Sequence, residues 1–247
     1  LLKGDVSLQD LSHPQDAYIF GNLSNLYADP DGIAFFVRNL SKDYKGVPPA
    51  LQHLGTISFR GEISGYFTDL VTYGEVRTDI GTVKTDVKFS SDKEKGYFSY
   101  SGAVKTAEFE LGKLLANDKF GKVTFNMDVK GSHYAKRYPS VTMKGLVASI
   151  DYSDYTYENI TLDGEYKQGG FNGNVSFDDE NGAIQLNGSI NTAGKIPTFN
   201  FRADVDHFRP NTLHLTPKYK DTEISVKIKA DFTGSSINDM NGEINMI

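Results

Sequence analysis

Residues able to do chemistry are sparse in this chain. Five histidines, His13, His53, His133, His207 and His214, lie far apart, and none forms an H-x-x-x-H or H-x-H pair. His207 and His214 are the nearest two, and loop polarity accounts for them more simply than a metal or catalytic role. The run "DDENG" at 178–182 holds three consecutive carboxylates, yet an EF-hand loop spaces its ligands at alternate positions and ends on a distal glutamate. A strand pattern follows at once, so a hairpin turn is the simpler reading. No serine occupies a G-x-S-x-G elbow, and no glycine-rich loop before a helix could cradle phosphate. Carboxylates for glycoside hydrolysis need only proximity in space, and nothing in the sequence picks out a pair. With no cysteine, disulfides and thiolate metal sites are excluded. The expectation is a protein without catalytic residues, metal ligands or cofactor.

Composition narrows the class further. At 247 residues the chain could form one large all-β domain or two ordinary ones. Its 24 glycines, 16 phenylalanines and 14 tyrosines suit strands and turns. A net charge of −6 argues against nucleic acid, which needs clustered cations to neutralise phosphates. The densest basic group, "HYAKRYP" at 133–139, has only Lys136 and Arg137 and reads as a solvated turn. No apolar run approaches the roughly 20 residues of a membrane helix, and no signal peptide opens the chain. Both "LLKGDVSL" and "NGEINMI" read as strands cut in mid-pattern, so we expect a fragment of a longer protein. Five N-x-S/T sequons, at Asn22, Asn39, Asn159, Asn174 and Asn187, would suit a glycosylated chain. Chance supplies most of them in a sequence this rich in Asn, Ser and Thr.

The elements that must position any site are strands. Residues 1–54 are the least regular part, with turns at "SHPQD", "ADPDG" and "GVPPA" and short strands at Tyr18–Leu23 and Ile33–Val37. From residue 55 to 247 strand follows strand, apolar on one parity and polar on the other, as in antiparallel sheet with one wet face. Five share the pattern apolar, x, apolar, x, Gly, x, apolar. They are Ile57, Phe59, Gly61, Ile63; Phe98, Tyr100, Gly102, Val104; Val141, Met143, Gly145, Val147; Ile160, Leu162, Gly164, Tyr166; and Ile184, Leu186, Gly188, Ile190. With Gly81 and Gly121 the glycines recur at intervals of 19 to 24 residues, a rough hairpin length, which suggests an irregular repeat. Other strands carry Val83, Val87 and Phe89; Val123, Phe125, Met127 and Val129; Val175 and Phe177; Phe199, Phe201 and Val205; and Ile224, Val226, Ile228 and Phe232. Asn181–Gly182 signals a hairpin whose turn uses positive φ angles. Helix is expected only in "EFELGKLLAND", ending at Asn117–Asp118, and in a short turn begun by Pro210 within "DHFRPNTLHL". Each follows a strand and could fold back as a plug over an end of the sheet.

A sheet of ten or more strands with one apolar face must cover it with a second sheet, close into a barrel, or curve around something else. Glycine recurring on the apolar side reduces bulk there and permits strong curvature with that face concave. The expected fold is therefore all-β, an elongated, strongly curved, mainly antiparallel sheet with an apolar concave groove and one or two short helices. Residues 1–54 belong to the same sheet as the repetitive segment 55–247. Such a trough suits acyl chains, since burial is worth about 25 cal/mol per Å² of apolar area.

The order of these strands, with the "ELGKLLAND" insertion, resembles the AsmA-like superfamily and within it the translocation-and-assembly-module TamB proteins of Bacteroidota. The resemblance runs over roughly residues 50–215, through "LQHLGTISFRGEISGYFTDLVTYGEVRTDIGTVKTDVKF", "FSYSGAVKTAEFELGKLLANDKFGKVTFNMDVKG", "YTYENITLDGEYKQGGFNGNVSFDDENGAIQLNGSI" and "FNFRADVDHFRPNTLHL". It implies a taco-like groove in a periplasm-spanning protein anchored in the inner membrane by a segment outside this chain. It also implies a non-enzymatic role in phospholipid movement to the outer membrane, or in protein assembly there beside a BamA-type barrel. The groove lining would be the apolar residues named above.

Two other readings remain open at this point. In a closed β-sandwich or β-solenoid the aromatics are packing, and function lies on the polar face, for example in glycan binding. In an outer-membrane barrel the apolar face turns outward to lipid. In the open groove, by contrast, the unpaired edge strands at its two ends favour self-association by strand addition.

Overall fold

The computed structural model describes residues 1–10, 12, 17–32, 52–92, 96–134, 140–218, 220–235 and 239–247. The strand expected over 33–37 lies outside them. Among the described residues fourteen strands form one antiparallel sheet in which each pairs with the strands before and after it, in the order β1 to β14. They are β1 (Leu2–Gln9), β2 (Tyr18–Ala28), β3 (Ile57–Tyr66), β4 (Asp69–Thr78), β5 (Gly81–Asp92), β6 (Tyr97–Glu110) and β7 (Phe120–Tyr134). After these come β8 (Ser140–Tyr152), β9 (Tyr155–Lys167), β10 (Gly170–Asp179), β11 (Gly182–Asn191), β12 (Thr198–Phe208), β13 (Ile224–Thr233) and β14 (Asn241–Met246). A five-residue helix, α1 (Leu111–Leu115), joins β6 to β7. The sheet does not close into a barrel, and β1 and β14 are its two edges.

Two-residue turns join β3 to β4, β4 to β5, β8 to β9, β9 to β10 and β10 to β11, and a chain that turns so tightly can only pair with the strand it has just left. Ser153 and Asp154 take φ of 51° and 63° between β8 and β9, and Gln168 and Gly169 take 53° and 73° between β9 and β10. These are the left-handed angles that match a hairpin to strand twist. The "ENG" turn departs from the expectation: neither Glu180, Asn181 nor Gly182 has positive φ. Asp179 closes that turn instead, its carboxylate accepting the Asn181 N–H at 2.9 Å.

The glycine interval is also corrected. Gly145 and Gly164 sit on adjacent strands β8 and β9, while Gly61 and Gly102 are three strands apart on β3 and β6. Strands of 13 to 15 residues in β7 to β9 fill an interval that shorter strands fill in pairs. There is no hairpin repeat. Register nevertheless gathers glycines, for Gly164, Gly173 and Gly188 stand directly opposite one another on β9, β10 and β11.

Three strands carry a non-glycine residue in the left-handed region: Glu108 in β6 at φ 50°, Asn159 in β9 at 54°, and His207 in β12 at 38°. The β6 and β12 ladders shift register there, between Thr106 and Phe109 and between Val205 and Phe208. A bulge of this kind inserts a residue and moves the following side chains to the other parity. Phe109 and Phe208 thereby join the face occupied by Val104 and Val205; β8 and β9 keep one register past Asn159, and Tyr157 meets that face through its ring contact with Phe177.

Candidate functional site

Residues directly opposite each other in an antiparallel ladder point to the same face. Following the register from strand to strand, every one of the apolar residues expected to line the groove falls on a single face. One row runs Phe59, Val76, Val83 across β3 to β5. Another runs Val104, Met127, Gly145, Leu162, Val175, Leu186, Ala203, Ile228 across β6 to β13. A third runs Ile190, Phe199, Phe232 across β11 to β13. Strand β4, which sequence reasoning passed over because Thr72 and Gly74 dilute its pattern, adds Leu70 and Val76.

These residues are not sealed. Phe59, Val87, Val123, Met127, Val147 and Phe177 are buried, Phe98 and Ile224 are exposed, and the remainder are half-buried. The densest packing gathers Ile80, Phe109, Val123, Met127 and Val147 where β5 to β8 meet. Against it pack Leu54 and the α1 residues Leu111 and Leu114, so the expected plug is present. A second plug is the turn after β12. Pro210 opens it, the Leu213 N–H donates to Arg209 O at 3.0 Å, and Leu213 is fully buried. Both plugs follow even-numbered strands, which in a meander all end on the same side of the sheet. On the opposite side the apolar face is open, with Phe98 42% and Tyr166 48% exposed. There Phe98 stacks on Phe89 at 6.1 Å, and further along Phe199 stacks on Phe232 at 4.7 Å.

A polar knot holds the second plug. The Tyr157 hydroxyl donates to Leu213 O at 2.7 Å, and its ring lies 5.7 Å from Phe177. Next to it the Tyr155 hydroxyl donates to the Asp179 carboxylate at 2.6 Å and accepts from the buried Asn181 amide at 3.1 Å. Burial first, and the bond to Asp179 second, push the Tyr155 phenol up to about 12. The His207 ring meets Asp179 O at 3.2 Å and Asp206 at 3.5 Å, and these acceptors raise its pKa above the ordinary histidine value.

His53, His207 and His214 therefore serve the ends of the sheet, while His13 lies outside the described residues. His53 bonds Leu114 O at 2.9 Å beside α1, and His214 bonds Ser153 O at 3.0 Å beside the second plug. Among the described residues no group of three or more His, Asp or Glu is placed to hold a metal ion. Residues that sequence reasoning missed are Leu54, Ile80, Phe109, Tyr157 and Leu213. Their signal was a break in alternation, read as a strand end when it marks a bulge or a folded-back turn.

The opposite face is polar and laced with cross-strand pairs. Lys144 meets Asp163 at 2.8 Å, Lys227 meets Asp204 at 2.9 Å, and Asn187 donates to Asn174 at 2.6 Å. Over β9 to β14 this face forms a depression of about 610 Å³. Two register rows line it, one through Ser176, Gln185, Asp204 and Lys227, the other through Asn174, Asn187, Arg202, Lys229 and Asn245. Against this geometry, no protein-family model, no curated protein and no solved structure matches the chain.

Proposed function

We propose that the apolar face holds the acyl chains of phospholipid or a related amphiphile. On this reading the chain is one segment of a periplasmic lipid conduit of the AsmA-like kind, without enzymatic activity. The observation that carries the reading is the uncovered apolar face: fourteen strands lie in one sheet, and most of the apolar residues on one side remain half-buried. Such a face is costly in water, at about 25 cal/mol per Å² of apolar area, and a guest covering a few hundred Å² is held by several kcal/mol. The plugs around Leu114 and Leu213 close one side, leaving the side of Phe98 and Tyr166 for entry.

The reading includes a concave apolar face, with the opposed glycines Gly61 and Gly74 on β3 and β4 leaving room for the sheet to curl about its guest away from the hollowed polar face of β9 to β14. It also includes continuation of the sheet by further strands, and assembly of the longer protein between an inner-membrane anchor and an outer-membrane barrel of BamA type.

Native mass spectrometry of the chain purified from cells tests the reading. The expected result is co-purified phospholipid, reduced by Phe125→Asp or Leu186→Asp more than solubility is reduced. A chain free of lipid that also takes up none from phospholipid vesicles would overturn it.

A further inference from the structure

We infer that the depression on the polar face binds an acidic oligosaccharide, at a site separate from the apolar face and independent of the lipid reading. Its lining side chains include three cations, Arg202, Lys227 and Lys229, and one carboxylate, Asp204, in a chain whose net charge is −6. Lys227 is neutralised by Asp204 at 2.9 Å. Arg202 and Lys229 stand directly opposite each other across the β12–β13 ladder, and the residues next in register are amides, Asn187 beside Arg202 and Asn245 beside Lys229. Like charges placed opposite each other destabilise a sheet, and an anion lying between them removes that cost.

Val175, Leu186, Ala203, Ile228 and Ile247 contribute apolar surface to the floor, and the polar remainder of the lining matches hydroxyl groups. Asn174, Gln185, Asn187 and Asn245 each offer a donor and an acceptor, and Thr161 and Ser176 add hydroxyls. Side chains repeat across the strands at about 4.8 Å, so the depression from β9 to β14 presents polar groups over roughly 24 Å. That suits a linear, hydroxyl-rich guest carrying an acidic group. Nucleic acid would also need aromatic side chains on which its bases could stack, and none lines this depression. A lipid would find hydrocarbon on the other face.

Isothermal titration of the full chain with hexagalacturonate, maltohexaose and inorganic phosphate tests the inference. We expect saturable binding of hexagalacturonate, with maltohexaose at least about ten-fold weaker. Arg202→Gln and Lys229→Gln should each weaken binding by about ten-fold or more, the loss of one charge-assisted contact. Lys84→Gln is the control, because Lys84 and Lys105 are also directly opposed on the polar face but lie outside the depression. Absence of saturable binding, equal loss in the Lys84→Gln chain, or phosphate binding as tightly as the hexamer would overturn the inference. Lipid content measured on the same Arg202→Gln and Lys229→Gln chains should be unchanged, which separates this site from the apolar face.

Discussion

Gly188 lies directly opposite Phe201 in the β11–β12 ladder, its φ is +146°, and a Cβ built on it would collide with the carbonyl oxygen of Asn200. Only glycine takes that backbone angle without strain. Gly21, on the same face of β2, has no such angle, and a Cβ there would meet Val6 and Leu23 at 3.7 Å, an ordinary contact. Gly188→Ala should therefore destabilise the chain by about 1–3 kcal/mol. Gly21→Ala should be neutral or stabilise by up to about 1 kcal/mol. Urea midpoints of the two variants check this, and equal effects would show that the glycines are interchangeable.

Leu213 is the fully buried anchor of the second plug, and Tyr157 donates to its carbonyl at 2.7 Å. Leu213→Ala should cost about 2–5 kcal/mol, the transfer and cavity cost of a buried leucine. Tyr157→Phe should cost about 0.5–1.5 kcal/mol. Amide exchange in β11 and β12 should rise more in the Leu213 variant than in β3 and β4. A uniform rise would mean that the plug is not a local device.

His207 gives the plug a pH dependence. Its folded-state pKa is raised, first by the Asp179 carbonyl and then by Asp206. Protonation is thus favoured by folding, so the contribution to stability is complete below the ordinary value of 6.5 and is lost as pH rises through the higher folded-state value. Denaturation midpoints measured from pH 5 to pH 9 should show this decline, and His207→Asn should remove it. Asparagine is chosen because it tolerates the left-handed φ of 38°.

The β1 edge carries no proline, its eight residues are all exposed, and Val6 and Leu8 stand 41% and 45% exposed. Such an edge invites strand addition. Sedimentation equilibrium should show concentration-dependent self-association, weakened by Val6→Lys, which puts a charge on the apolar side of the edge. An unchanged mass average in the variant would place the contact elsewhere.

Alternation alone placed Val83, Met127, Leu162 and Ile228 on one face, because a period of two survives whatever the neighbouring strand is. Leucine spacing likewise located α1, and Pro210 the second turn. Alternation could not show the bulges at Glu108 and His207 or the left-handed Asn159, since a left-handed residue that is not glycine has no reliable mark in the sequence. Phe109 and Phe208 were off parity until those bulges turned them.

The sequence by itself determined the all-β class, the two-faced strands and the absence of cysteine chemistry, all local properties of composition and period. Tertiary structure decided the nearest-neighbour order of fourteen strands, the side of the sheet that the plugs close, and the meeting of Arg202 with Lys229. Those depend on the register between one strand and the next, and register is fixed by the packing of whole strands rather than by any residue alone.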